Sequence, residues 1–256
     1  MFSLDDQNSI LWRFDETKEI TSLASGLIFS ITEKPHRLSL LAATALQAHL
    51  IQKNWEHNFG LPANADGVVI GKMFGVLVVR TSHGNFGYLA AFSGKLAGKN
   101  HHEGFVPPVY DALAPGSFLN AGMKKLAEIN LEISALELEG SNQNQTKVSM
   151  LKNMRKSQSR TLQNQLFEQY HFLNKAGQSK SLIEVFKNVF ATKPPAGAGE
   201  CAAPKLLQYA FMNDMEPLAL AEFWWGLSPK SAQWKHGHFY PPCHEKCAPI
   251  LAHMLS

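Results

Sequence analysis

The chain has 256 residues, 45% hydrophobic and 18% charged. That supplies one large domain or two small ones with a sizeable core, and it excludes wholesale disorder. A formal net charge of +3 neither demands nor excludes a nucleic-acid partner, and three cysteines cannot all pair within the chain, so a disulfide scaffold is excluded.

The longest apolar stretch, Gly67 to Val79, is interrupted by Lys72 and is too short to span a bilayer. Asp5 and Asp6 stand where a secretory leader would carry a basic and then an apolar run. The expectation is no membrane association and a cytoplasmic, reducing location. There, clustered cysteines read as metal-binding or catalytic.

In chain order, Leu40, Ala43, Leu46, Leu50 and Ile51 form an apolar stripe at helical spacing, predicting a helix over 38–52 behind Pro35. Val68, Val69 and Ile70 lead into Phe74 to Val79. Ser82-His-Gly-Asn85 offers turn chemistry, and Phe86 to Phe92 returns, so 67–92 reads as a buried β-hairpin. Residues 93–120, rich in Gly and Pro, read as a long loop. Its adjacent His101 and His102 point in different directions and make poor joint ligands.

Residues 121–190 read as a helical hairpin, broken at Gly140 to Thr146. Met123, Leu126, Ile129, Ile133 and Leu136 mark one helix. Val148, Leu151, Met154, Leu162, Leu166, Phe167, Tyr170 and Phe172 mark the other. Lys147, Lys152, Arg155, Lys156 and Arg160 form a local basic stripe with no intervening acid, a candidate RNA-phosphate surface. Trp224, Trp225 and Trp234 are candidate base-stacking groups, although the first two fit core packing in an apolar strand.

The last stretch, 191–256, holds every cysteine. A helix over 200–211 accommodates Pro204 only within its first turn, which places Cys201 at the helix start. Pro217 to Trp225 reads as a strand. Residues 237–247 form a loop that enters a final helix through Ile250, Leu251 and Met254. Cys243 and Cys247, four residues apart, share one side of a helical turn. Cys201, Cys243 and Cys247 therefore form a candidate zinc cage, with His236, His238, His244 or water in a fourth position. The organisation expected is an α+β (or α/β) core assembled from 1–120 and 191–256, with 121–190 as a helical-hairpin insertion.

The order hairpin, Cys-bearing helix start, strand and Pro242-Cys243 helix start resembles the zinc-dependent nucleobase deaminase fold. That resemblance implies a mixed sheet flanked by helices. It assigns Cys201, Cys243 and Cys247 as zinc ligands. The family's catalytic Glu stands two residues after the first ligand, where this chain has Ala203. Glu200, just before Cys201, is the remaining candidate acid/base, and the second pair is separated by three residues rather than two.

Longer phrases carry a second resemblance: His57 to Leu61, Gly71 to Val79, Phe92 to Gly98, His101 to Pro108, Pro194 to Leu207, Ala221 to Gly226 and His236 to Tyr240. Together these resemble the region ahead of the catalytic domain in bacterial pseudouridine synthases of the large-subunit rRNA (RluA) type. What the resemblance implies is an RNA-modification context, uridine to pseudouridine in rRNA or tRNA, without an organic cofactor. The family's His-Arg-Leu-Asp motif appears here only as His36-Arg37-Leu38-Ser39, without the attacking carboxylate. The expectation is an accessory RNA-binding region that works with a catalytic domain elsewhere, since the chain ends where that domain would begin. A zinc-dependent deaminase acting on a nucleobase or nucleotide, and a protein-interaction helper, are the alternatives.

Overall fold

A computed structural model describes residues 3–5, 8–14, 18–31, 34–61, 70–140, 144–190, 193–230 and 233–256. Val68 and Val69 of the expected hairpin lie outside these. In chain order the elements are β1 (Ser3–Asp5), β2 (Asn8–Arg13), α1 (Lys18–Ala24), α2 (Arg37–Gln52), β3 (Lys72–Arg80), β4 (Phe86–Phe92), α3 (Phe118–Glu139), α4 (Asn144–Gln169), β5 (His171–Leu173), β6 (Ser179–Ser181), α5 (Leu182–Phe190), α6 (Ala202–Met212), β7 (Glu216–Trp225), β8 (Phe239–Tyr240) and α7 (Ala248–Met254). The fold is α+β. No helix among the described residues is long and apolar enough to cross a membrane.

The chain forms two compact units, Met1–Val109 with His171–Ser256, and Tyr110–Tyr170. The first is built on a six-stranded sheet in the order β1-β2-β4-β3-β7-β8, antiparallel at every described pairing rather than mixed as the deaminase resemblance implies, because each described neighbour runs opposite to the next. β3 lies at its centre because its run Phe74 to Val79 is buried on both faces, apart from Gly75, which has no side chain to bury. Alternation divides the work. Phe74, Val76 and Val78 join Tyr88, Ala90, Phe92, Ala219, Ala221 and Phe223 in a core completed by Leu38, Ala42, Ala43 and Leu46 of α2. Gly75 and Glu222, paired in register, face the opposite side, where α6 packs.

His36-Arg37-Leu38-Ser39 is the start of α2. His36 is the N-cap, its Nδ1 accepting from the Leu38 amide at 3.2 Å, and buried Ser39 donates to the His36 carbonyl at 2.8 Å. The four residues cap a helix.

In the second unit, α3 and α4 form the expected hairpin. Ser117 caps α3 by accepting from the Leu119 amide, and Gly140 ends it in the left-handed conformation (φ 64°), which glycine adopts without Cβ strain. Ile129, Ile133 and Leu151 are buried between the helices, with Leu136 and Val148 against them. Met123 and Met154, expected on the apolar stripes, are instead exposed, because a two-helix seam is narrow. The second helix is also shorter than its apolar pattern predicts. α4 ends at Gln169, and Phe172 lies on β5. There the Asn174 side chain accepts from the Ala176 and Gln178 amides, a turn that replaces helix with the β5-β6 pair. Residues 171–190 accordingly belong to the first unit, and the insertion is Tyr110–Tyr170 rather than 121–190.

Gly75 marks the closest approach of helix and sheet. A Cβ there would stand 2.9 Å from Ala202 Cβ and 3.4 Å from Glu222 Cγ. Gly75→Ala is therefore expected to lower stability by about 1–3 kcal/mol through overpacking, read as a reduced midpoint in urea unfolding. An unchanged midpoint would mean that α6 does not rest on β3 at this point.

Candidate metal centre

Cys201 is the N-cap residue of α6, in extended conformation, and its side chain makes no capping hydrogen bond. Cys247 caps α7, with Pro249 in the first turn. The turn before it is closed by the Cys247 and Ala248 amides, both donating to the Cys243 carbonyl at 3.2 Å. That turn puts the Cys243 and Cys247 sulfurs 3.3 Å apart. Because β7 runs beside β3, it returns the chain to the end of the sheet where α6 begins. The three Sγ atoms consequently lie within 4.8 Å of one another. Cys247 is buried, Cys201 half-buried and Cys243 exposed.

The thiols are hydrogen-bonded to one another. Hydrogen bonding to Cys243 pushes the Cys201 thiol up, and hydrogen bonds to Cys201 and Cys243 push the Cys247 thiol up. Cys243, hydrogen-bonded to both, is held well below the usual thiol range. Three soft sulfur donors converging on one point, one of them open to solvent, are a donor set that fits a thiophilic dication and leaves room for a fourth ligand.

The candidate fourth ligands fare differently. Among the described residues the ligand group holds the three cysteines, with neither His238 nor His244 in it; both are exposed. His236 accepts from the Gly226 amide through Nδ1 at 2.9 Å, and its ring lies 4.1 Å from that of Trp225. His102 bonds the Leu96 carbonyl and sits between the Trp55 and Phe92 rings. Glu200, the candidate acid/base, has its carboxylate 3.6 Å from Lys205 Nζ. Lys205 is buried one turn into α6 and donates to the Phe92 and Gly94 carbonyls at 3.1 and 3.2 Å. Glu200 thereby helps tie the end of β4 to the start of α6.

Sequence reasoning assigns no role to Glu222. It is 5% exposed, and its Oε1 accepts from the Ala203 amide at 3.0 Å. Its charge opposes ionisation of Cys201 and Cys247, and Cys243 in turn acts on it. The available signal is a single carboxylate in the otherwise apolar run Pro217 to Trp225, at a position whose alternation points it to the buried α6 side.

Of the basic stripe, Lys147 pairs with Glu132 at 3.0 Å, Lys152 with Glu137 at 2.7 Å, and Arg155 donates to Asn130 Oδ1 at 2.9 Å. Lys156 and Arg160 are exposed. Trp224 and Trp225 are buried. Trp234 is half-buried, stacked on Trp224 at 5.7 Å and edge-on to Tyr240 at 4.5 Å. These tryptophans pack the end of the sheet around β8.

No protein-family profile matches the chain, and no curated protein or solved structure matches it significantly.

Burial raises the Glu222 carboxyl from the ordinary range to about 7, against the opposing bond from Ala203. The folded protein thus keeps this proton while the unfolded chain releases it near pH 4.5. The resulting stability is full below about pH 4.5 and is lost as pH rises to about 7, a change of about 3 kcal/mol. In metal-free protein, Glu222→Gln, which has no proton to release, should flatten that part of the stability–pH curve measured by denaturant titration. An identical slope in both proteins would rule out the buried carboxylate as its source.

Proposed function

We propose that this chain is the accessory, RNA-binding region of an RNA pseudouridine synthase, with a zinc-held core of deaminase-like architecture. The observation that carries the reading is the convergence of Cys201, Cys243 and Cys247 on the starts of two helices, across the antiparallel order β4-β3-β7. The phrases that resemble the pseudouridine synthase region supply this same place. Pro194 to Leu207 contains the Cys201 helix start, Ala221 to Gly226 contains Glu222, and His236 to Tyr240 contains β8.

Zinc is the metal proposed, held by Cys201, Cys243 and Cys247. Bound there it supplies cross-linking of two helix starts and, at a fourth position, a Lewis acid for water. Ala203 leaves no carboxylate at the position the deaminases use, and Glu200 is engaged by Lys205. These features favour a structural centre over a hydrolytic one. The attacking Asp of uridine isomerisation has no counterpart at Ser39, so a separate catalytic domain supplies it. The role of this chain is to hold RNA on the exposed cations of α4, Lys156 and Arg160 together with Lys147, Lys152 and Arg155, which are paired to α3.

Elemental analysis of purified protein should give one zinc per chain, and Cys247→Ser should lose it along with several degrees of thermal midpoint. Metal-free wild type with an unchanged melting point would remove the zinc reading.

Binding to rRNA transcripts, followed by fluorescence anisotropy, should weaken steeply with salt. The pair Lys156→Gln and Arg160→Gln should lower the slope of log affinity against log salt by about 0.7 for each phosphate that is no longer neutralised. Salt-insensitive binding would count against the RNA surface. Pseudouridine formation by this chain alone, or release of ammonia from cytidine- or adenosine-containing RNA, would overturn the accessory assignment.

A further inference from the structure

Cys201 occupies the position where a helix normally carries Ser, Thr, Asp or Asn, whose side chain accepts from the amide two or three residues on. Its thiol makes no such bond. Pro204 has no amide hydrogen, so within the first turn of α6 the amide that needs an acceptor two residues past the cap is that of Ala203. Glu222 provides it, from the middle of β7, at 3.0 Å. Gly75, in register with Glu222, leaves the space into which Ala202 and the Glu222 side chain pack, and the carboxylate reaches the Ala203 amide beside them. The capping function has been moved from the helix's own first residue to the sheet, and the Cys201 sulfur is free to turn towards Cys243 and Cys247.

We infer that Glu222 is a positioning residue for the metal centre: by accepting the Ala203 amide it fixes the first turn of α6 and so holds the Cys201 sulfur in register with the Cys243–Cys247 turn. The inference rests on the reading of the three thiols as metal ligands. It assigns Glu222 a geometric role, acting through the backbone of α6, and no bond to the metal. Burying a carboxylate costs stability unless it is well bonded. Gly75 on the neighbouring strand and the uncapped first turn of α6 are what accommodate it.

Two substitutions separate reach from charge. Glu222→Gln keeps the length and an oxygen acceptor but cannot ionise. Glu222→Asp can ionise but is one methylene short of Ala203. Metal-free wild type and both variants, checked for folding by far-ultraviolet circular dichroism, are titrated with Co(II) and then with competing Zn(II). The thiolate-to-cobalt charge-transfer and d–d absorption are recorded. Wild type should show thiolate-bound cobalt. Glu222→Gln should reproduce its d–d spectrum and its affinity within about threefold. Glu222→Asp should shift the d–d bands and bind at least about tenfold more weakly, a difference of about 1.4 kcal/mol.

Wild type without thiolate-to-cobalt absorption would overturn the metal reading, and the inference with it. A wild type that binds, alongside a weakened Gln variant, would overturn the inference alone, showing that the charge matters rather than the acceptor. So would an Asp variant indistinguishable from wild type. Should the Asp variant fail to fold, the Gln variant still decides: loss of the wild-type spectrum or affinity there rejects the positioning role.

Discussion

The approach of α6 to the central strand at Gly75 is the constraint on which the rest of the first unit depends. At that point the sheet has no side chain. The small Ala202 settles against β3, Leu206 follows one turn on, and the start of α6 comes within reach of the Glu222 carboxylate on the adjoining strand. From there the geometry is nearly forced. Cys201 must lie over the end of the sheet, and β7, paired along most of β3, must deliver its continuation to the same end. Lys205 and Glu200 then tie the exit of β4 to the same helix turn. The thiol centre is thus a consequence of how one helix sits on three strands.

Three thiols so close cannot all ionise without compensation. Mutual hydrogen bonding holds Cys243, the most exposed sulfur, below the usual thiol range and pushes Cys201 and Cys247 above it. Glu222 adds a second acidic group nearby, and its field works against further ionisation. A dication bound there would reverse this balance. It would offset the negative charges that oppose one another, and ligand deprotonation, metal affinity and folding would become a single linked equilibrium. The same linkage would make the centre a clamp between the first turns of α6 and α7.

Much of this is legible in the residues. The α2 stripe, the β3-β4 hairpin, the strand ending at Trp225 and the place of Cys201 at a helix start follow from periodicity and from the one position a proline can occupy in a helix. The convergence of the thiols follows from element order and an i, i+4 spacing. Other features are not legible. β8 is two residues long and exists because Glu222 and Phe223 offer it an edge. β5-β6 depends on an Asn174 side chain replacing backbone partners, a substitution that periodicity does not register. Glu222 is hidden for a different reason. In a strand an acid at every second position is ordinary, and only the identity of what covers that face makes this one exceptional.

The helical hairpin poses the converse problem, in which composition overstates a surface. Read along the chain, Lys147 to Arg160 is basic without interruption. Folded, α4 lies against α3, which carries Glu132, Glu137 and Asn130 at the heights where Lys147, Lys152 and Arg155 emerge. Those pairs are exposed and individually worth little, so a phosphate can displace a glutamate at small cost. Each displacement nevertheless leaves a carboxylate facing the incoming anion, and that opposes binding until the glutamate side chain swings away. Arg155, whose partner Asn130 is neutral, does not face this penalty, and Lys156 and Arg160 lie beyond it near the middle of α4. An RNA held by the hairpin would therefore be anchored first at mid-helix and only secondarily towards the Gly140 turn, an asymmetry that arises from the facing helix and that a reading of α4 alone does not contain.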